Sequence, residues 1–307
     1  MIEVTDLTKE FSGIKAVDNI SFSIHPGEVT GFLGPNGAGK TTTLRMLTTY
    51  LAPTSGKISI FGEDPSENPI ACKRAIGYLP ESNPLYEDME VCGFLKWCAL
   101  MHGITGASAE KAVNNVIEKC QLQNAAGKFI GHLSKGYKQR VGLAKAIIHN
   151  PKILFMDEPT SGLDPNQAED VRNLIKDLKK EKTIFLSTHI LPEARSICDR
   201  VIIIHRGKIV IDGKIPEIVS GYEKEQKVIL KLQQGNYEQV AERIKKLESV
   251  SKVEIAREEE AQLIIYSKSE QDIRPQIYKL CVSENIDILE IYKKSASFEE
   301  IFREITT

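Results

Sequence analysis

Apolar and polar positions alternate near the start of the chain, at Ile2 and Val4 and again at Ile20, Phe22 and Ile24. A period of two puts such residues on one face of a strand, and predicts two short antiparallel strands closed by the turn His25-Pro26-Gly27. VTGFLG is apolar without alternation, as a buried strand is, and runs into a glycine-rich turn. TTTLRMLTTYL continues as a predicted helix, and Thr54-Ser55-Gly56 turns the chain into a further strand, KISIFG. Between 85 and 150 the pattern is mainly helical; Val113, Val116, Ile117 and Cys120 fall at i, i+3, i+4 and i+7. KILFMD, TIFLS and VIIIH are predicted strands, with a helix near 166–180 between the first two. Strands alternating with helices predict an α/β core with mostly parallel central strands.

The pattern changes at Gly221. Val228, Leu230 and Leu232 alternate, Tyr237, Val240, Ile244 and Leu247 have helical spacing, and Val253 and Ile255 followed by LIIY predict a hairpin. Ile273, Ile277, Leu280 and Cys281 form another helical face, with Pro275 tolerable in its first turn. IDILEIY and SFEEIFREI predict a last strand and a last helix. The order βαββαβ is that of a ferredoxin-like motif. Two domains are therefore expected: 1–220, whose mainly helical part covers about 85–150, and a small α+β domain over 221–307.

Composition narrows the function without naming it. The 307 residues are 41% hydrophobic and 27% charged, with a formal net charge of -2. Residues 222–307 carry 17 acidic and 14 basic side chains, so neither domain has the basic bias of a nucleic-acid footprint. Six cysteines form no C-x-x-C pair, which gives zinc or dithiol chemistry little support and fits reduced, mostly buried thiols. The start lacks a basic-then-apolar signal pattern, and no apolar run approaches membrane-spanning length.

The strongest local chemistry is Gly34-Pro35-Asn36-Gly37-Ala38-Gly39-Lys40-Thr41, a full G-x-x-x-x-G-K-[ST] between a predicted strand and a predicted helix. Missing side chains let the backbone curl and aim N–H groups at phosphate oxygens, and the helix N-terminus adds positive potential. Lys40 is expected to reach the β- and γ-phosphates and Thr41 to ligate Mg²⁺, with Thr42 next to them on the helix. The alternative is a structural glycine turn, which motif and context together disfavour. Asp157 and Glu158 end the apolar strand ILFMD, at the edge where open α/β sheets bind ligands. Asp157 suits Mg²⁺ and Glu158 suits activation of the attacking water. Two acids after a strand also fit an ordinary helix N-terminus; the neighbouring phosphate loop favours the catalytic reading.

Leu133-Ser134-Lys135-Gly136-Tyr137-Lys138-Gln139-Arg140 resembles the ABC signature, with Lys135 in place of a glycine and Tyr137 in place of the glutamine. With the phosphate loop and paired acids in this order, the chain resembles an ABC ATPase. The resemblance implies that Ser134, Lys135 and Gly136 meet the γ-phosphate held by the opposite subunit. It implies that Ser161-Gly162-Leu163-Asp164 is the D-loop, with Asp164 at the dimer site, and that His189 senses the γ-phosphate. Phe11 stands where the family stacks an aromatic on adenine; a core phenylalanine is the alternative. Glu81, in GYLPESNPLY, replaces the usual glutamine at a loop that meets Mg²⁺ or water and the membrane subunit; it can ligate a hard cation but cannot donate like an amide.

YLPE, LSKGY and the βαββαβ tail resemble exporter-type ATPases of the multidrug and gliding-motility-associated groups, closely over about 1–220 and by pattern and the ending SFEEIF beyond. The implied fold is an ABC-type P-loop ATPase domain with a helical subdomain, plus the ferredoxin-like domain. The implied function is ATP hydrolysis, with Mg²⁺, that drives export through a membrane-spanning permease. The expected partners are that permease and a second ATPase subunit, like or unlike, with no nucleic acid. The expected place is the cytoplasm, on the inner face of the membrane. The rival is a soluble ABC ATPase acting on ribosomes or DNA. Such chains usually carry two cassettes or long coiled coils, whereas this one shows a single cassette and no sustained heptads. A P-loop kinase leaves the signature and D-loop unexplained.

Overall fold

The alternating start of the chain and the continuous apolar runs after it build two different sheets. The computed structural model describes residues 1–222, 227–233, 237–256, 261–268, 272–294 and 297–306. Its first compact unit spans Met1–Ile215. The unit opens with β1 (Ile2–Phe11), β2 (Ile14–Ile24), β3 (Val29–Leu33), α1 (Lys40–Leu47), β4 (Ser55–Ile60), α2 (Pro69–Ala75) and β5 (Ile76–Leu79). A helical stretch follows: α3 (Val91–Met101), α4 (Gly106–Lys119) and α5 (Lys135–Ile147). Then come β6 (Ile153–Asp157), α6 (Pro165–Leu178), β7 (Thr183–Thr188), α7 (Leu191–Ile197), β8 (Arg200–His205) and β9 (Lys208–Gly213).

β2, β1 and β4 form an antiparallel sheet in that order. The larger sheet has the order β5-β6-β7-β3-β8-β9, parallel throughout except for the antiparallel pair β8·β9. Every residue of β3, β6 and β7 is buried, as expected of parallel strands covered on both faces. The period of two sorts their side chains. Leu154, Met156 and Leu186 pack with Phe94, Val141 and Ile175 of the helices, while Ile153, Phe155 and Phe185 pack with Val4, Leu7 and Ile24 of the antiparallel sheet. Phe22, Phe32 and Phe185 meet at centroid distances of 5.3–5.9 Å, contacts worth about 0.5–1.5 kcal/mol each beyond area burial. Because β3, β6 and β7 are parallel neighbours, Gly34, Glu158 and His189 leave the sheet at one edge.

Helix α1 is shorter than its apolar pattern predicts. The Thr48 hydroxyl bonds back to the Leu44 carbonyl at 2.8 Å, and Thr49 turns left-handed at φ 60, which ends the helix before Leu51. β5, α2 and α7 carry too few residues to stand out as periodic segments.

The second compact unit is Pro216–Ile305. α8 (Ile215–Tyr222) runs through Gly221, and the compact units meet at Ile215/Pro216. Gly221 lies in the last turn of that helix. β10 (Lys227–Leu232), α9 (Tyr237–Ile244), β11 (Val250–Ala256), β12 (Gln262–Ser267), α10 (Arg274–Ser283), β13 (Ile288–Lys294) and α11 (Phe298–Thr306) follow. The four strands are antiparallel in the order β11-β12-β10-β13, the arrangement of a ferredoxin-like sheet. Val228, Leu230, Leu263 and Ile265 share one core with Val240 and Ile244 of α9 and Ile277 and Cys281 of α10.

Candidate nucleotide and catalytic site

The loop between β3 and α1 has its shape forced on it. Gly37 and Gly39 sit at φ 79 and 109, where an L side chain is strained. A Cβ on Gly39 would strike the Ala16 carbonyl, and one on Gly34 the Ile204 carbonyl. Helix α1 then begins at Lys40, and the N–H groups of its first turn have no i−4 carbonyl to serve. Asn36, Gly37, Gly39, Lys40, Thr41 and Thr42 line a cleft of about 460 Å³ that Glu81, Glu158, Ser161 and His189 complete. Lys40 is 6% exposed; its Nζ donates to the Gly34 and Pro35 carbonyls at 2.7 and 3.2 Å and lies 3.4 Å from Glu158 Oε1.

The paired acids diverge. Asp157 is buried and accepts the Ser187 hydroxyl at 2.6 Å; it lines a neighbouring cleft of about 660 Å³ with Thr41, Arg45, Tyr78, Glu81 and Lys135. Thr41, Glu81 and Ser161 line both clefts. Burial, with the Asp157 carboxylate adding to it, pushes the Tyr78 phenol up to about 12. Glu158 faces the other way, at φ 50, a left-handed backbone that costs a non-glycine residue on the order of 1–3 kcal/mol. Its N–H is held by Ser187, at 3.0 Å to the hydroxyl and 3.2 Å to the carbonyl. One carboxylate oxygen meets Lys40 and the other accepts from His189 Nδ1 at 2.8 Å. A carboxylate only accepts, so the imidazole proton lies on Nδ1.

Ser134 caps α5, its Oγ accepting the Tyr137 N–H at 3.4 Å. Gly136 lies against Gln167, 2.7 Å from where its Cβ would be. The Lys135 ammonium fills the space a side chain on Gly162 would need. Asp164 caps α6, accepting the Gln167 N–H at 2.9 Å. Of the expected site residues, Gly34, Pro35, Ala38, Ser134, Gly136 and Asp164 line neither cleft. Phe11 is 47% exposed, with the Lys9 ammonium 5.3 Å from its ring centre. It is therefore no core phenylalanine, and it too lines neither cleft.

Other residues act here that motif reading passed over. Gln139 Nε2 donates to the Pro159 carbonyl at 2.8 Å, tying α5 to the turn after Glu158. Asn83 Nδ2 donates to the Lys138 carbonyl at 2.8 Å, and a Cβ on Gly142 would collide with it, so the Glu81 loop rests on α5. Ser187 joins both acids, and Glu193 binds the hydroxyls of Thr160 and Thr188. Gln139 belongs to the octet opening at Leu133 and could have been weighed from it; the others carry no local signal.

Comparison with known proteins identifies the family. The ABC transporter family profile matches residues 17–161, and a profile described as an AAA domain matches 130–194. The bacitracin transport ATP-binding protein BcrA of Bacillus licheniformis is 35% identical over 304 residues, covering 98% of this chain and 96% of its own. The Nod factor export ATP-binding protein I of Burkholderia thailandensis is 38% identical over 216 residues, covering 69% of this chain and 70% of its own. Among solved structures, a dimeric post-hydrolysis ATP-binding cassette, MJ0796, bound to ADP and Pi, is 25% identical with a TM-score of 0.64, covering 70% of this chain and 98% of its own. The chain belongs to the family of ABC transporter ATP-binding proteins.

Proposed function

We propose that this ATP-hydrolysing subunit drives export, with Glu158 as the base for the attacking water and His189 as its partner at the γ-phosphate. The observation that carries the reading is the Glu158 carboxylate, buried at the mouth of the phosphate loop between Lys40 and His189. A carboxylate aimed into the cleft takes a water proton, and His189, half-exposed beside it, holds the carboxylate in line. Lys40 and the first-turn N–H groups of α1 hold the phosphates, and Thr42 extends that rim.

Mg²⁺ fits the neighbouring donors. Thr41 offers a hydroxyl and Asp157 a carboxylate into one cleft, and Glu81 adds a second carboxylate there; these are hard oxygen ligands. Bound with ATP, Mg²⁺ would neutralise charge on the β- and γ-phosphates. Two subunits would place Ser134, Lys135 and Gly136 of one against the nucleotide of the other, with Asp164 near the seam and Phe11 against adenine.

The domains we assign are an ATPase domain over 1–220, its helical subdomain over about 85–150, and an accessory domain over 221–307. Among the described residues no helix is long and apolar enough to cross a membrane, so passage needs a spanning partner. A surface suited to such a permease lies on the helical subdomain. Tyr86 and Trp97 meet edge to face at 5.2 Å, and Trp97 and Met101 are 38% and 65% exposed beside a cleft of about 370 Å³. The chain would then sit at the cytoplasmic face of the membrane through that partner.

Purification in mild detergent tests the reading. A multi-span membrane protein should co-purify and raise ATP turnover, and Trp97→Ala with Met101→Ala should weaken its retention. Co-purification of ribosomes or DNA in place of a membrane protein would contradict it.

A further inference from the structure

Glu193 lies on α7, outside both clefts, and is 2% exposed. A carboxylate so buried is costly unless its oxygens are bonded. Both are: Oε1 accepts from the Thr160 hydroxyl, and Oε2 accepts from the Thr188 hydroxyl at 2.9 Å. Thr160 comes two residues after Glu158, and Thr188 directly precedes His189. We propose that Glu193 is a positioning residue that fixes the distance between the turn carrying Glu158 and the turn carrying His189. The inference rests on those two residues acting at the γ-phosphate.

The bond directions are determined. The Thr188 oxygen accepts the Ile190 N–H at 3.0 Å, bracketing His189, so its single proton is free for Glu193. A carboxylate cannot donate, so Thr160 must also give its proton to Glu193. On the far side of the same turn, Gln139 holds the Pro159 carbonyl at 2.8 Å. The left-handed backbone at Glu158 persists only if its surroundings over-determine it. Ser187 before the turn, Gln139 at Pro159 and Glu193 at Thr160 are three such restraints. Ser187 reaches Glu158 from β7, two residues ahead of His189, and Glu193 adds a further tie through Thr188, next to His189 itself; the two turns meet directly in the 2.8 Å contact between His189 and Glu158. Loss of the bridge would let that contact drift while leaving the phosphate loop untouched.

The test uses the full chain and follows ATP binding and single-turnover hydrolysis per bound nucleotide. Glu193→Ala and Thr160→Val should each lower the hydrolytic rate on the order of 10–10²-fold, the scale of a misplacement near 1 Å. Nucleotide affinity should stay near that of the parent, and KM should move far less than kcat. Thr160→Ser, which keeps the hydroxyl, should recover most of the rate lost in Thr160→Val. Glu193→Gln should fall between Ala and parent, because one oxygen still accepts. If Glu193→Ala fails to fold, the near-isosteric Thr160→Val decides. A parental rate in Thr160→Val, or a loss that follows nucleotide affinity alone, overturns the inference. Glu158→Gln run alongside separates the two claims. If it too hydrolyses at the parental rate, the reading of Glu158 is wrong; if it is inactive while Thr160→Val is not, only the role of Glu193 is wrong.

Discussion

The two units bury apolar side chains alike but treat polar ones differently. In the first, Lys40, Gln139, Asp157, Glu158, Thr160, Ser187, Thr188 and Glu193 are all buried, and they gather where β3, β6 and β7 end. In the second, Ser267 is the one buried polar residue among those described. Its sheet and helices follow from strand alternation and helical faces, and apart from Ser267 its described core is apolar. Burying polar groups costs stability unless each finds a partner, so a concentration of them at one sheet edge marks the place where chemistry is done. The contrast separates a working unit from one whose described core is only packing.

Lys40→Ala should strain the contrast most. It removes the cation proposed to meet the phosphates and leaves Glu158 buried without it. Loss of one charge-assisted bond of about 3 kcal/mol corresponds to roughly 10²-fold weaker nucleotide binding. Equilibrium binding of a fluorescent ATP analogue measures this, and parental affinity would remove Lys40 from the site. Gln139→Leu comes next. It leaves the Pro159 carbonyl unsatisfied and should slow hydrolysis about tenfold, the effect of one buried hydrogen bond, with ATP affinity little changed.

A smaller effect concerns acid. His149 stacks on His102 at 3.8 Å, donates from Nε2 to the Ile76 carbonyl, and leaves Nδ1 buried with no partner among the described residues. Burial, with His102 and Lys182 nearby, pushes its pKa from 6.5 down to about 4. The unfolded chain takes up this proton near pH 6.5 and the folded chain only near 4. Its contribution to stability is therefore full above pH 6.5 and is lost as pH falls toward 4. Thermal melts of His149→Gln should show a flatter dependence across that window than the parent. The least effect is expected from ending the chain at Gly221. The residues of both clefts all lie earlier, so ATP binding should be kept. Loss of binding in a truncated chain that stays folded by circular dichroism would end the division of labour between the units.

Much of this was legible in the sequence, for reasons that can be named. The phosphate loop and the acids lie within short segments whose local chemistry is unusual: glycines at tight turns, and two carboxylates closing an apolar strand. The tail announced its elements through clean alternation, and the βαββαβ order carried the sheet with it. What stayed hidden depends on contacts between distant segments. Ser187 reaches Asp157 from the neighbouring strand, and Glu193 on α7 reaches Thr160 in the turn after β6; neither has a motif of its own. Phe11 could not be placed by residue type alone, because an aromatic suits a core and a stacking surface equally; only its exposure excluded the core.

The most direct test of the account is Glu158→Gln, with bound ATP, phosphate release and particle size measured in one sample with Mg²⁺. Glutamine keeps the size but not the base, and removing a general base costs about 10²–10⁴ in rate. The account predicts ATP bound as in the parent, almost no phosphate released, and a dimer that accumulates on gel filtration. Phosphate release at the parental rate would contradict it, because another group would then be activating the water.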